Sequence, residues 1–278
     1  PDGGCFETAD NDGVDKLLRR GSGFLHRLEN NWRVLLLSLA VAAAATAWFA
    51  FFGVPLLAGW LAERTPPEVA DFMTKQALET LDGRALQPTK LNAAQQRRFN
   101  TLFAGVAAAE GRGPGHYRLL LRNSPVIGPN AFAFPDGSIV LTDQLAVMVQ
   151  KDAEIEGVFA HEMAHVNHAH VMQRVYQAAL VPAAIAFVTG DASQASHVAA
   201  ILPGVLLQSA YSRAFEQQAD DDAAALLRRR HEDPGALANL LERLDAQVCG
   251  HDGCGPSWLG SHPATADRAA RLRRGGAP

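Results

Sequence analysis

Apolar residues are unevenly spread along this chain. From Val34 to Ala62 there are 29 consecutive residues without Asp, Glu, Lys, Arg or His. At about 1.5 Å per residue, the part before Pro55 already crosses the roughly 30 Å hydrocarbon core of a bilayer. Trp32, Trp48 and Trp60 fall near its ends or near a membrane interface, where indole rings settle. The stretch lacks the polar stripe of a buried core helix. It is also longer than a signal-peptide apolar region and runs into Trp60 instead of a small-residue cleavage site. The pattern predicts a tail over residues 1–33, a transmembrane helix over 34–62 and the remaining fold over 63–278. Lys16, Arg19, Arg20, Arg27 and Arg33 precede the span, whereas only Arg64 and Lys75 follow it within the same distance. Positive charge stays inside, so the tail is expected in the cytoplasm and everything after residue 62 outside it.

Beyond the span the periodicity turns helical, with short strand-like runs. Thr-Pro-Pro-Glu at 65–68 starts a helix that runs to about Leu81 and stops at Asp82-Gly83. A second fits Asn92–Glu110, ended by the glycine-rich stretch at 111–115. Tyr117–Arg122 reads as a strand, and Asn130–Phe134 with Ser138–Thr142 flank Pro135-Asp136-Gly137 as a hairpin. Thr142 or Asp143 caps a short helix over 144–150. A long helix runs from Asp152 to about Ala179 and stops before Pro182. Two apolar pieces follow, 178–188 and 195–207, each too short to span a membrane. Helices at 211–230, 234–248 and 264–274 complete a mainly helical α+β fold.

Composition narrows the function. A net charge of −4 removes the electrostatic argument for nucleic acid as a partner. Three cysteines are too few for a disulfide scaffold. Cys249 and Cys254 are close enough for a short disulfide outside the cytoplasm; a zinc knuckle with His251 is the alternative. Four lysines against 21 arginines fit a GC-rich bacterial genome.

The chemistry concentrates in one block. His161-Glu162-Met163-Ala164-His165 is an H-E-x-x-H pattern. On a helix, residues i and i+4 stand one above the other, so both imidazoles can reach one ion. Glu162, one step round, can face a water at the metal without ligating and take its proton. A catalytic zinc needs a third protein ligand. Position 168 is His and 171 is Val, which excludes the metzincin arrangement, and no Glu occurs between Val166 and Gly190. The first Glu after the motif is Glu216, with Asp220 one turn on. Glu216 can bind the metal while Asp220 accepts from the other nitrogen of a ligand histidine. His168 and His170 are expected in packing or hydrogen bonding, and Arg213 near substrate or in a salt bridge.

Four stretches, NAFAFPDGSIVLTDQL (130–145), EGVFAHEMAHVNHAH (156–170), YSRAFEQQADDDA (211–223) and SHPATADR (261–268), together resemble the HtpX-like and CAAX-prenyl-protease-like zinc metallopeptidases, a gluzincin group. The resemblance covers about residues 65–275. It implies a zincin-like domain with a small sheet beside the H-E-x-x-H helix and one Zn2+ on His161, His165 and Glu216. It also implies Glu162 as general base and Asp220 supporting a ligand, with the 130–142 hairpin bordering the cleft, where an extended polypeptide could add as a strand. His262, in the matching Ser-His-Pro, could hydrogen-bond the oxyanion or swing in as a fourth ligand. Full spans between the two zinc motifs are missing, which argues against CAAX processing and for the single-span envelope quality-control type. The expected protein is a bacterial inner-membrane endopeptidase, held by membrane lipid through its span. Its periplasmic domain cleaves misfolded or unassembled polypeptides. The alternative is a chaperone-like envelope assembly protein with a vestigial zinc site. Oligomeric state is not legible in the sequence.

Overall fold

The computed structural model describes residues 32–189, 211–250, 253–254, 262 and 266–274. By its internal contacts the chain divides into two compact units, 1–53 and 54–278. The described part of the first is helix α1 (Trp32–Trp48) and a widened helical turn, Phe49–Gly53. Pro55, which lacks an N–H, follows this turn and removes the bond that would keep it regular. No residue of α1 is buried. The helical stretch Trp32–Glu63 is long and apolar enough to cross a membrane.

The second unit begins with α2 (Val54–Glu63) and α3 (Pro67–Leu81), which starts behind two prolines as its sequence requires. Strand β1 (Gln87–Pro88) leads to α4 (Ala93–Glu110). Asn92 and Gln95 form a capping box at its start, and Gly111 closes it with a φ of 77° that favours glycine. Strands β2 (Arg118–Asn123), β3 (Ala131–Ala133) and β4 (Ser138–Thr142) follow. The sheet order is β1-β2-β4-β3, with β2 parallel to β4 and the other pairs antiparallel.

Alternation along these strands divides the interior. Ala131, Ala133, Ile139 and Leu141 face one apolar core, and Phe132, Phe134 and Val140 face the other. Thr142 caps the short α5 (Asp143–Ala146) through the Leu145 N–H. The first core is filled by α4, α6 (Asp152–Asn167), α8 (Arg213–Arg229), α9 (Gly235–Val248) and α10 (Ala266–Arg273). The second holds α2, α3 and the start of α7 (His170–Thr189). Ala62, Val171, Met172 and Val175 belong to this second core, and the Thr65 and Tyr176 hydroxyls meet at 3.0 Å.

The long helix expected from Asp152 to about Ala179 is two helices. His168 ends α6, and Ala169 takes a left-handed backbone at φ 51° before α7 restarts. Helix α7 then continues through Pro182 to Thr189. The short piece expected over 144–150 shrinks to the single turn of α5. Cys249 and Cys254 are direct partners across a two-stranded ribbon, β5 (Cys249–Gly250) and β6 (Gly253–Cys254). The apolar piece at 195–207 and His251 lie outside the described residues.

Candidate metal centre

Helix α6 is the middle of the unit. Every residue from Glu154 to His165 is buried, so the histidines do not sit on a solvated surface helix. Two of its buried carboxylates are paired with arginines: Glu154 with Arg243 at 2.6 Å and Glu156 with Arg230 at 2.7 Å. Arg230 also donates to the Gly105 carbonyl at 2.7 Å, tying the end of α8 to α4 and α6. At Gly157 an added Cβ would stand 2.9 Å from the Leu237 Cβ, so glycine permits the close approach of α9.

Facing α6, helix α8 presents Glu216 and Asp220 on its buried side with Ala219 and Ala223. His161, His165, Glu216 and His262 each offer one ligand atom, all within 4.8 Å of one another and all buried. The Nε2 atoms of His161 and His165 are 3.1 Å apart. Glu216 oxygens lie 3.6 and 3.5 Å from them, respectively. His262 Nδ1 lies 3.1 Å from His161 Nε2 and 3.0 Å from Glu216 Oε1. Donors at about 2.0–2.1 Å around a tetrahedral zinc would be roughly 3.3 Å apart, so these separations and this nitrogen and oxygen set fit such an ion.

The protonation states suit ligation. Burial pushes the His165 and His262 imidazoles down to about 4 and lowers His161 as well, which keeps a lone pair available on each ring. Burial alone would raise Glu216, but the His262 and His165 imidazoles beside it outweigh burial and hold the carboxyl well below its usual range. Asp220 Oδ1 lies 3.0 Å from His161 Nδ1. Glu162 is fully buried, with its Oε1 3.5 Å from His262 Nε2.

Two neighbours escaped the sequence reading. Arg268 donates to Asp220 at 2.7 and 2.9 Å and contacts Glu216 at 2.6 Å. It is the cation on these carboxylates, whereas Arg213 is exposed. Its place in the Ser-His-Pro stretch was the available signal. Tyr211 stacks on His165 with ring centroids 4.0 Å apart, and the Arg174 guanidinium covers its ring at 4.2 Å. Of the expected bystanders, His168 bonds Asp222 at 2.6 Å, and His170 is buried against Phe215.

An H-E-x-x-H helix wedged against an acidic helix, with a buried cluster of imidazole and carboxylate donors between them, defines a metallopeptidase. The model of peptidase family M48 matches residues 93–275, about two thirds of the chain, and the chain belongs to that family. It is 28% identical over 252 residues to the metalloprotease LoiP of Escherichia coli, covering 87% of this chain and 95% of that protein. It is 29% identical over 184 residues to a protease HtpX homolog of Burkholderia multivorans, covering 52% of this chain and 63% of that protein. A putative beta-barrel assembly-enhancing protease of Vibrio cholerae is 32% identical over 154 residues, 52% of this chain and 32% of its own length.

Proposed function

We propose that this zinc metallopeptidase is an endopeptidase anchored in a bacterial inner membrane, with its N-terminus cytoplasmic and its catalytic domain in the periplasm. Its substrates are polypeptides of misfolded or unassembled envelope proteins. The observation that carries the reading is the buried His161, His165 and Glu216 donor set with Glu162 beside it on α6. The names of the relatives, a metalloprotease and a beta-barrel assembly-enhancing protease, support the substrate class.

In this reading His161, His165 and Glu216 would hold the ion, which when bound would supply a Lewis acid for the scissile carbonyl and for the attacking water. Asp220 accepts from His161 Nδ1–H and so leaves Nε2 bare for the metal. Arg268 anchors both carboxylates, so Glu216 cannot turn away. Glu162 takes the proton of the water on its carboxylate and passes it to the leaving amine nitrogen.

In this reading the site rests in a closed state. His262 fills the fourth corner of the donor set. Strand β3 is one edge of the described sheet, where this reading places an extended substrate as an added strand.

The test uses purified full-length protein with unfolded polypeptide as substrate. Glu162→Gln is expected to keep its zinc and lose about 10²–10⁴-fold in turnover. Glu216→Ala is expected to lose the zinc. A Glu162→Gln protein that cleaves like the wild type would leave a chaperone-like role, and full zinc retention in Glu216→Ala would remove Glu216 from the ligand set.

A further inference from the structure

The two histidines on α6 differ in what backs them. His161 has the Asp220 carboxylate at its Nδ1, but His165 has an imidazole there. His165 Nδ1 lies 2.9 Å from Nδ1 of His170, a fully buried ring. On a continuous helix, residues five apart point in different directions. The break at His168 and Ala169 turns His170 back onto α6 and creates the contact.

From His170 the contacts continue outward. His170 Nε2 lies 3.1 Å from Gln218 Oε1, Gln218 Nε2 lies 2.9 Å from His168 Nδ1, and His168 Nε2 lies 2.6 Å from Asp222 Oδ2. The last acceptor orients the whole chain. A carboxylate only accepts, so a neutral His168 carries its hydrogen on Nε2 and accepts at Nδ1. The Gln218 amide donates to that nitrogen and turns its oxygen toward His170. An amide oxygen also only accepts, so His170 donates from Nε2 and accepts at Nδ1. The hydrogen in the remaining contact therefore sits on His165 Nδ1. His165 Nε2 is left as a bare lone pair, on the side where His161 and Glu216 lie. With the Gln218 oxygen toward His170 and its nitrogen toward His168, this assignment satisfies all four contacts. In its neutral form each ring supplies one donor and one acceptor.

We propose that His170 is a positioning residue for the metal centre, holding His165 in its Nδ1–H tautomer through a hydrogen-bond chain that ends at the exposed Asp222. The proposal rests on the reading of His165 as a ligand. It assigns α7 and α8 a shared task, because His170 comes from one and Gln218 and Asp222 from the other.

The test separates tautomer control from packing. His170→Phe keeps a ring against Phe215, whose centroid is 4.1 Å from that of His170, but removes the acceptor. His170→Asn restores an acceptor near the Nδ1 position without a ring. Zinc affinity of the full-length apoprotein is measured by competition with a chromogenic chelator. His170→Phe is expected to bind about 10–100-fold more weakly than the wild type, with His170→Asn recovering most of the loss. As a second measurement, nitrogen-15 imidazole spectra of the apoprotein should show His165 protonated at Nδ1 alone. Gln218→Ala, at an exposed position, should mix the two tautomers. Wild-type zinc affinity in His170→Phe overturns the proposal, as does an unchanged His165 spectrum in Gln218→Ala. If the wild type itself binds no zinc, the metal-centre reading fails instead.

Discussion

At the scale of single residues, the centre is a problem of placing lone pairs. Each histidine that faces the donor cluster needs one bare nitrogen inside and one satisfied nitrogen outside. Asp220 meets that need for His161, and its position one helical turn after Glu216 made it legible from spacing. His170 touches His165, and nothing in the spacing pointed to it, because the contact exists only where the helix breaks. The motif stretch marked Arg268 without giving its partner, because it lies 48 residues from Asp220 in the chain and meets it by tertiary packing. His262 has two proposed roles, oxyanion donor or fourth ligand. Its Nδ1 stands among the donors and its Nε2 lies 3.5 Å from Glu162 Oε1, an arrangement that favours the fourth-ligand role. The expected result for His262→Ala is therefore higher turnover on an unfolded polypeptide, read beside its zinc content. A loss of about 10²–10³-fold would assign His262 to the oxyanion instead.

At the scale of elements, α6 holds the H-E-x-x-H residues and is surrounded. Capping signals at Asn92 and Thr142, prolines before α3 and Gly111 after α4 put the helix ends where the local sequence places them. The precision of the site depends on how closely the helices approach one another. Gly157 sits one turn before His161 and lets α9 pack within 2.9 Å of where a Cβ would be. Gly157→Val is expected to push α9 away, costing about 2–3 kcal/mol, or roughly 4–12 °C in melting temperature. Thermal unfolding followed by circular dichroism checks this; an unchanged melting temperature would show that α9 yields freely. The failed expectation of one long helix from Asp152 to about Ala179 belongs to this scale as well. Every residue of that run is compatible with a helix, and no Gly or Pro marks position 169. The left-handed Ala169 is a local cost of about 1–2 kcal/mol, maintained because α7 packs against α2 while α6 packs in the other core.

At the scale of the whole molecule, an apolar helix and a mildly acidic catalytic unit share one chain. The absence of buried residues on α1 distinguishes it from a core helix, and the basic flank before it predicts the direction of insertion. The full-length protein is expected to remain with membranes after alkaline carbonate extraction. An alkaline phosphatase reporter fused after Pro278 is expected to be active, as only an exported fusion would be; an inactive but expressed fusion would reverse the orientation. The sequence by itself determined what local physics can write: a run of apolar residues, helix caps, the i and i+4 spacing of His161 and His165, and that of Glu216 and Asp220. Tertiary structure alone decided which distant groups meet. It set Arg268 on the two carboxylates, His262 at the fourth corner and His170 behind His165. Those contacts join segments far apart in sequence or across a backbone break, and their energies come from burial and exclusion of water, which no local pattern records.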